Sequence, residues 1–150
     1  MSGASLTFDV QGLPQLKARI DKLASRSNFN ELLEGVGAEI ESQTHRRLQE
    51  EKKSPDGESW QAWSDGYAQS RHSGHSLLMN EGELDDSIQF LVVGDEVHVG
   101  TNLIYAAIHQ FGGEDVGKDI AARPYLGLSD ENVKDIEALI NDWADEQLGL

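Results

Sequence analysis

The chain has 150 residues, of which 38% are hydrophobic, and its 12 basic and 27 acidic side chains give a formal net charge of −15. A chain of this length can bury a hydrophobic core without a metal ion or disulfide to stabilise it. The absence of cysteine excludes a disulfide framework, a zinc–thiolate site and thiol catalysis. The acidic excess disfavours sequence-specific binding of nucleic acid, because such a surface repels phosphate backbones.

The acidic charge is concentrated in the second half of the chain. Residues 1–71 carry 9 basic and 11 acidic side chains, a balance of −2, whereas residues 72–150 carry 3 and 16, a balance of −13. This charge either keeps the protein soluble or shapes a surface that partners meet. No apolar run approaches the ~18 to 20 residues that cross a bilayer, and no basic segment precedes an apolar one at the N-terminus. A soluble, unexported protein without membrane contact is therefore expected.

Two amphipathic helices are predicted in the N-terminal third, over about residues 13–53. The first is entered at Pro14 and stops near Ser25, and its apolar stripe recurs at three- and four-residue intervals at Leu13, Leu16, Ile20 and Leu23. Asn28 or Asn30 can cap the second helix, which continues to about Lys53. Basic side chains in its last turns complement the helix dipole; they are Arg46, Arg47, Lys52 and Lys53.

Two glycines interrupt the second helix in the sequence GVGAEI. A dinucleotide-binding loop needs a third glycine, a preceding strand and a following βαβ unit, and the sequence around Gly35 and Gly37 offers none of them. Close packing against a neighbouring element, or local weakness of the helix, is the better interpretation.

A turn and two tryptophans follow the second helix. In SPDG, residues 54–57, proline fixes one dihedral angle and glycine supplies a positive one. Trp60 and Trp63 are three residues apart and would share a face of a helical turn. They are interpreted either as a lid on the core or as an exposed anchor for a partner.

A β region is predicted over about residues 77–128. Residues 87–93 and 96–101 alternate as two strands, and Gly94-Asp95 suits a tight hairpin between them. A hairpin alone is marginal and exposes its edges. Further strands are therefore expected near residues 6–10, 77–79 and 125–126, or from a neighbouring subunit.

A short helix is predicted inside the β region. It starts at Asn102, and Gly112-Gly113 end it as a left-handed cap. Its larger side chains are Tyr105, Ile108 and Phe111. A polar loop over residues 114–118 follows it.

A final helix is predicted over about residues 129–148. Ser129 caps it, and its buried stripe is formed by Val133, Ile136, Ile140 and Trp143. The order of elements predicts one α+β domain over residues 1–150, with N-terminal helices, a small antiparallel β-sheet with an embedded short helix, and a C-terminal helix.

No grouping of residues predicts catalysis, a cofactor or a metal. His72 and His75 are three apart, but a Ser-Gly pair places them in a loop and no third ligand has recognisable spacing. Asp85 and Asp86 lack the alternating acids of a calcium loop and are interpreted as the beginning of a helix or turn. No nucleophile elbow, HExxH helix or phosphate-binding glycine loop occurs.

Two single residues have competing interpretations. His109 lies beside aromatic residues, which favours a histidine hydrogen-bonded within or beside the core over a proton-transfer role. Arg123 precedes a proline and an aromatic residue, where its rigid fork could bind backbone carbonyls or a carboxylate of the same chain or of another copy. Either use of Arg123 is structural.

Four separated blocks carry a family resemblance: SPDGESW at 54–60, LLMNEGELDDSI at 77–88, VHVGTNLIYAAIHQFGG at 97–113 and ARPYLGLSDENVKDI at 122–136. In this order the chain resembles the virion morphogenesis or tail-completion family of tailed bacteriophages, of the Mu-like kind. The likeness covers roughly residue 54 to the end, and the N-terminal third matches in character alone. The chain departs from relatives at Ala121, where they often carry proline, and at Tyr125, where phenylalanine is usual.

The resemblance implies a structural, non-enzymatic protein of the neck or head-proximal tail end, a tail terminator that completes the tail and joins it to the head. Such proteins commonly form a ring through which DNA passes unread, here of six copies as the working number. The implied partners are further copies of the chain, tail-tube proteins and head–tail connector proteins, with assembly in the host cytoplasm and a final place in the virion. No cofactor is implied.

Two other functions stay open at this point. An acidic decoy could inhibit a DNA-handling enzyme by imitating phosphate charge, and a small hydrolase would need an activity that His109→Ala abolishes. For the structural function, the candidate residues for packing or for subunit contact are Trp60, Trp63, Tyr105, His109, Phe111, Arg123 and Tyr125.

Overall fold

The computed structural model describes residues 4–9, 26–62, 77–78, 82–103, 105–114, 117 and 120–147. Three sequence predictions lie outside these residues: the first helix over residues 13–25, the role of Trp63, and the loop placement of the His72 and His75 pair.

The described elements are helices together with one small antiparallel sheet, which confirms the α+β class. In chain order they are β1 (Ala4–Asp9), α1 (Arg26–Arg46), a π-helical turn (Arg47–Glu51), α2 (Glu83–Ser87), β2 (Gln89–Val93), β3 (Glu96–Thr101), α3 (Ala106–Phe111) and α4 (Asp130–Gln147). No helix in this part of the chain combines the length and apolarity that a bilayer crossing requires.

The three strands form one antiparallel sheet in the order β1-β3-β2. The predicted hairpin is confirmed, with Gly94 at the positive φ of 61° that its turn requires. The strand expected near residues 6–10 is confirmed as β1. The strand expected near 125–126 is wrong, since the Tyr125 and Leu126 backbones bond to a side chain, and the described part of 77–79 is a turn, because Leu78 has a φ of 60°.

The core lies between the sheet and two long helices. Helix α1 packs on the inner face of β2 and β3, and α4 packs against α1. Gly37 marks the closest approach, because a Cβ atom there would lie 2.4 Å from Cδ2 of Phe90. This distance agrees with the close-packing interpretation for Gly37, whereas a Cβ atom at Gly35 would make an ordinary contact of 3.7 Å with Leu139. The largest fully buried apolar side chains are Leu32, Leu33, Val36, Ile40, Leu48, Val97, Tyr125, Ile136 and Ile140.

Helix α1 starts earlier and ends differently than predicted. It begins at Arg26, so Asn28 and Asn30 lie inside it and neither is its cap. Beyond Arg46 the backbone widens into the π-helical turn, in which the Lys52 amide donates to the Arg47 carbonyl over 3.0 Å. Lys52 then ends the helix in the left-handed conformation, with a φ of 54°.

The cap of α4 is confirmed. The Ser129 hydroxyl accepts a hydrogen bond from the Asn132 amide, and the Ser129 amide donates to Asn132 Oδ1, both over 3.0 Å. This reciprocal pair satisfies two backbone donors at the start of the helix. Ile136, Ile140 and Trp143 of the predicted stripe are buried, whereas Val133 is half-buried.

The bounds of the embedded helix α3 differ from the prediction. It begins at Ala106 rather than Asn102, and upstream of it the Leu103 amide donates to Thr101 Oγ1. Gly112 does end it at a positive φ of 82°, but its ψ of 169° lies outside the left-handed helical region. The left-handed cap is therefore wrong in detail, although the position needs a glycine.

Candidate assembly surface

Arg47 is a buried clamp at the end of the first described helix. Its side chain is 1% exposed, and Nη1 donates to the Tyr125 carbonyl over 2.7 Å while Nη2 donates to Asn132 Oδ1 over 2.6 Å. A longer bond of 3.4 Å reaches the Gly127 carbonyl. Burial lowers the pKa of Arg47, yet a guanidinium keeps its charge in proteins. The arginine that the sequence places in the last turns of the helix is therefore a buried hydrogen-bonding group, a role that the sequence did not predict.

The clamp holds one end of a short extended segment, residues 123–127, which also bonds to α3. Gln110 Oε1 accepts hydrogen bonds from the Tyr125 and Leu126 amides, each over 3.0 Å, and Gln110 Nε2 donates to the Leu126 carbonyl over 3.0 Å. The buried Tyr125 hydroxyl donates to the Ala106 carbonyl over 2.9 Å, and burial raises the pKa of this phenol. The Gln110 side chain thus makes hydrogen bonds to this backbone that a neighbouring strand would otherwise make.

The same segment meets the turn that precedes Trp60. The Trp60 indole Nε1 donates to the Pro124 carbonyl over 2.9 Å, and the tryptophan is 6% exposed. Arg123 Nε donates to the Gln61 carbonyl over 2.8 Å and Nη2 to the Ala62 carbonyl over 3.3 Å. Of the interpretations left open from the sequence, the structure places Trp60 in the core and the Arg123 fork on backbone carbonyls of its own chain.

Pro55 and Gly127 are also in close contact. This contact and the bonds that Arg47, Trp60 and Gln110 make to residues 123–127 form one packed unit, called the joint below. A Cβ atom on Gly127 would lie 2.6 Å from Cγ of Pro55, and Gly127 has a φ of 146°. A side chain at this position would therefore clash with the ring and strain the backbone. The SPDG turn and the RPYLG stretch, two separate blocks in the sequence, form one packed unit.

His109 lies half-buried on α3, next to the joint. Its ring meets the Tyr105 ring edge to face, with centroids 5.9 Å apart and an interplanar angle of 83°. Burial, and secondarily the charge of Arg123, lowers the pKa of His109, so the imidazole is neutral at neutral pH. Its Nδ1 atom is buried and has no hydrogen-bond partner among the described residues. The residue therefore lies beside the core and has an unused hydrogen-bonding atom at Nδ1 among the described residues.

Several large apolar side chains are exposed on the described part of the chain. Phe111, at the end of α3, is 72% exposed, and Tyr105 at its start is 39% exposed. On the outer face of β2, Leu91 is 63% and Val93 is 50% exposed. Side chains this large gain free energy when a partner covers them. Among the candidate residues, Trp60 and Tyr125 are therefore buried, whereas Tyr105 and Phe111 are exposed.

A second polar cluster, which sequence reasoning missed, joins α1 to α2. His45 Nδ1 lies 2.7 Å from Asp85 Oδ1, and Gln49 Nε2 donates to Asp85 Oδ2 over 2.8 Å. Glu41 lies 3.5 Å from the other ring nitrogen of His45. Burial opposes the charged imidazole, but the bonds to Asp85 and Glu41 outweigh it and raise the pKa of His45. Asp85 does lie in a short helix, as the sequence predicted, and it is buried there.

The partners within these two clusters are distant in sequence, which is why pattern reasoning missed their contacts. Arg47 and Gln110 carried no periodic or motif signal for their partners. The one available signal was Asn132 at the third position after Ser129, where a side chain can return a capping bond. Across the ranges the structure describes, no three histidine or carboxylate side chains are grouped to hold a metal ion.

Comparison with known proteins identifies relatives of the chain. The model of the phage virion morphogenesis family matches residues 11–145. The protein named "Putative capsid assembly protein G" of Escherichia phage Mu is 28% identical over 130 residues, which cover 81% of this chain and 83% of that protein. No solved structure matches the chain.

Proposed function

This chain belongs to the phage virion morphogenesis family, and on that premise we propose that it acts at the neck or head-proximal tail end, in tail completion and head–tail joining. The family and the Mu relative support a structural or assembly role and a virion-associated protein. Such a role depends on surfaces that fit other polypeptides rather than on a reaction pocket, so the protein is proposed to be no enzyme.

The exposed ring of Phe111 carries this proposal. An aromatic side chain that is 72% exposed forgoes the free energy of burial unless a partner covers it. Its backbone is held firmly, since the neighbouring Gln110 and His109 bond to residues of the 123–127 segment. A preorganised aromatic anchor loses little entropy when it docks, which favours a role in assembly.

We propose that the partners include further copies of this chain in a closed ring. A head-to-tail contact between different surfaces closes into a ring when the rotation per copy divides a full turn. Six copies at −15 each would carry −90, and acidic groups along a channel would keep passing DNA from adhering. The neighbours above and below would be tail-tube and head–tail connector proteins, with assembly in the host cytoplasm.

Electron microscopy of particles made without the protein tests the proposed step. Full heads lying beside unjoined or overlong tails are expected, because neither the joint nor the tail end would be completed. Mass measurement of the purified protein under assembly conditions tests the ring. A strict monomer, together with normal virions that lack the protein, would remove the proposal.

An acidic decoy is the second candidate, because α4 exposes many carboxylates. Its first turn alone has Asp130 and Glu131, both exposed. Competition with DNA for a basic partner enzyme separates the candidates: a decoy displaces DNA at stoichiometric concentration, whereas a neck protein leaves the complex intact.

A further inference from the structure

An open groove of about 590 Å³ runs between α1 and α4, away from the joint and from Phe111. Its large apolar lining residues, called the floor below, are Leu32 of α1 and Leu139 and Trp143 of α4. Ala138 and Gly35 also line the groove, and neither has a side chain beyond a methyl group. The groove is thus shaped for an inserted apolar side chain.

Carboxylates line both sides of the groove: Glu31, Glu39, Asp135, Asp142 and Glu146. Glu39 is engaged, with Gln43 Nε2 at 3.0 Å and Arg46 Nη2 at 3.7 Å. Within the described ranges no cation lies in ion-pair distance of the other four. Like charges brought together without counter-charges destabilise the fold, and a cationic ligand would relieve that cost.

The indole of Trp143 adds an independent observation. Trp143 is 8% exposed, and its Nε1 donor is buried and finds no acceptor in the described part of the chain. Leaving a buried donor without an acceptor costs free energy, so such a group in the lining of the groove favours a ligand that brings an acceptor. A peptide carbonyl is an acceptor of this kind.

We propose that this groove binds a cationic amphipathic helix of another protein, with lysine or arginine on its flanks and an apolar residue on the floor. Charge complementarity selects this occupant. DNA would be repelled, and a second copy of a chain with a net charge of −15 brings the wrong sign to four carboxylates that have no cation in ion-pair distance among the described residues. The groove lies between two helices, where a third helix can pack its apolar stripe.

The test uses a synthetic lysine–leucine peptide of about 14 residues, long enough to form a helix, with leucines on one face. Binding is followed by ¹⁵N NMR, in which the Trp143 indole peak is assigned with Trp143→Phe. The wild-type protein should bind, shift this peak downfield and lose affinity between roughly 50 and 300 mM salt. A scrambled peptide of equal charge but without an apolar face should bind at least about fivefold more weakly.

Matched variants separate the groove from general acidity. The triple variant Asp135→Asn, Asp142→Asn, Glu146→Gln should weaken binding at least about fivefold, as the loss of three exposed ion pairs predicts. The control Glu50→Gln, Glu58→Gln, Glu114→Gln removes the same charge from exposed sites elsewhere and should retain affinity. Ala138→Phe, which fills the groove without changing its charge, should also weaken binding.

Each contrary outcome overturns the proposal. Equal loss of affinity in both triple variants would show that net charge alone drives peptide binding. A Trp143 indole peak that does not move would show that the peptide binds elsewhere. A shift produced by Mg²⁺ or Ca²⁺ alone would identify a cation site. Self-association of the wild type that the groove variant abolishes would identify a second copy as the occupant. None of these results bears on the neck function, which is tested with particles.

Discussion

Arg47 and Asn132 are 85 positions apart, yet Arg47 Nη2 donates to Asn132 Oδ1 over 2.6 Å where solvent is excluded. The same oxygen accepts the capping bond from the Ser129 amide. The end of the first described helix and the start of the last one are therefore joined at a single atom. Arg47 also donates to the Tyr125 and Gly127 carbonyls, so its side chain binds the segment before α4 as well as α4 itself.

Arg47→Leu should destabilise the protein by about 2 to 4 kcal/mol, because it leaves buried acceptors at Tyr125 and Asn132 without their donor. Urea unfolding measures the change. Arg46→Leu is the control, since the Arg46 side chain is 47% exposed and should cost less than about 1 kcal/mol. Equal costs for the two variants would contradict the clamp.

Tyr125→Phe should cost about 0.5 to 1.5 kcal/mol, since it removes the donor to the Ala106 carbonyl and keeps the ring. The ring and its packing stay in place, so the fold should remain intact. The free energy of unfolding and the near-ultraviolet circular dichroism spectrum measure the two effects. A larger loss, with altered packing around the joint, would show that the hydroxyl positions the segment.

Gly37→Ala and Gly35→Ala should have opposite signs. A Cβ at position 37 would lie 2.4 Å from the Phe90 ring, so overpacking should cost about 1 to 3 kcal/mol. A Cβ at position 35 would lie 3.7 Å from Leu139, an ordinary contact, and helix propensity should give a gain of up to about 1 kcal/mol. Phe90→Leu should rescue the first variant, and failure to do so would disprove the stated clash.

The two half-buried histidines should make the free energy of unfolding depend on pH in opposite directions. The raised pKa of His45 contributes stability that is full below the unfolded value of 6.5 and is lost as pH rises through the folded pKa. The lowered pKa of His109 destabilises the fold as pH falls through 6.5, because the unfolded imidazole binds the proton more tightly.

Urea unfolding between about pH 5 and pH 8 separates these two histidines. His45→Gln should remove the component that falls with pH, and Asp85→Asn should reduce it, since Asp85 supplies the main favourable bond to the imidazole. His109→Gln should remove the component that rises with pH. An unchanged profile in the His45 variant would refute the assigned pairing.

Phe111→Ser should leave stability within about 0.5 kcal/mol and abolish assembly, because the ring is 72% exposed in the isolated chain. Complementation of phage that lack the protein measures infectivity, and sedimentation measures oligomers. Ile120→Ser is the matched control, an exposed residue of 36% accessibility in the following loop. Normal assembly of the Phe111 variant would take this residue out of the interface.

Local patterns predicted the parts of the fold that local physics decides. The β2–β3 hairpin followed from alternation around Gly94, and the cap of α4 followed from Ser129. The predicted strand at 125–126 was wrong because a glutamine side chain, Gln110, bonds to those amides in place of a strand. No local sequence pattern indicates that a side chain will accept hydrogen bonds from these backbone amides in place of a strand.

The candidate site was predicted less completely than the fold. The sequence selected Trp60, Arg123 and Tyr125 but not Arg47, because a basic residue in a last helical turn resembles any surface charge. The π-helical turn that begins at Arg47 has no signature in the sequence. His45 and Asp85 were missed for the same reason, as their contact spans 40 positions.

Asn132 Oδ1 serves two donors at once, and this sets a tolerance on length. Inserting one residue between Gly127 and Ser129 would add up to about 3.6 Å of chain just before α4. Unless the added residue bulges out of the segment, it would move Asn132 Oδ1 out of hydrogen-bond distance of the Arg47 guanidinium. The length of chain before this helix is therefore tied to Arg47.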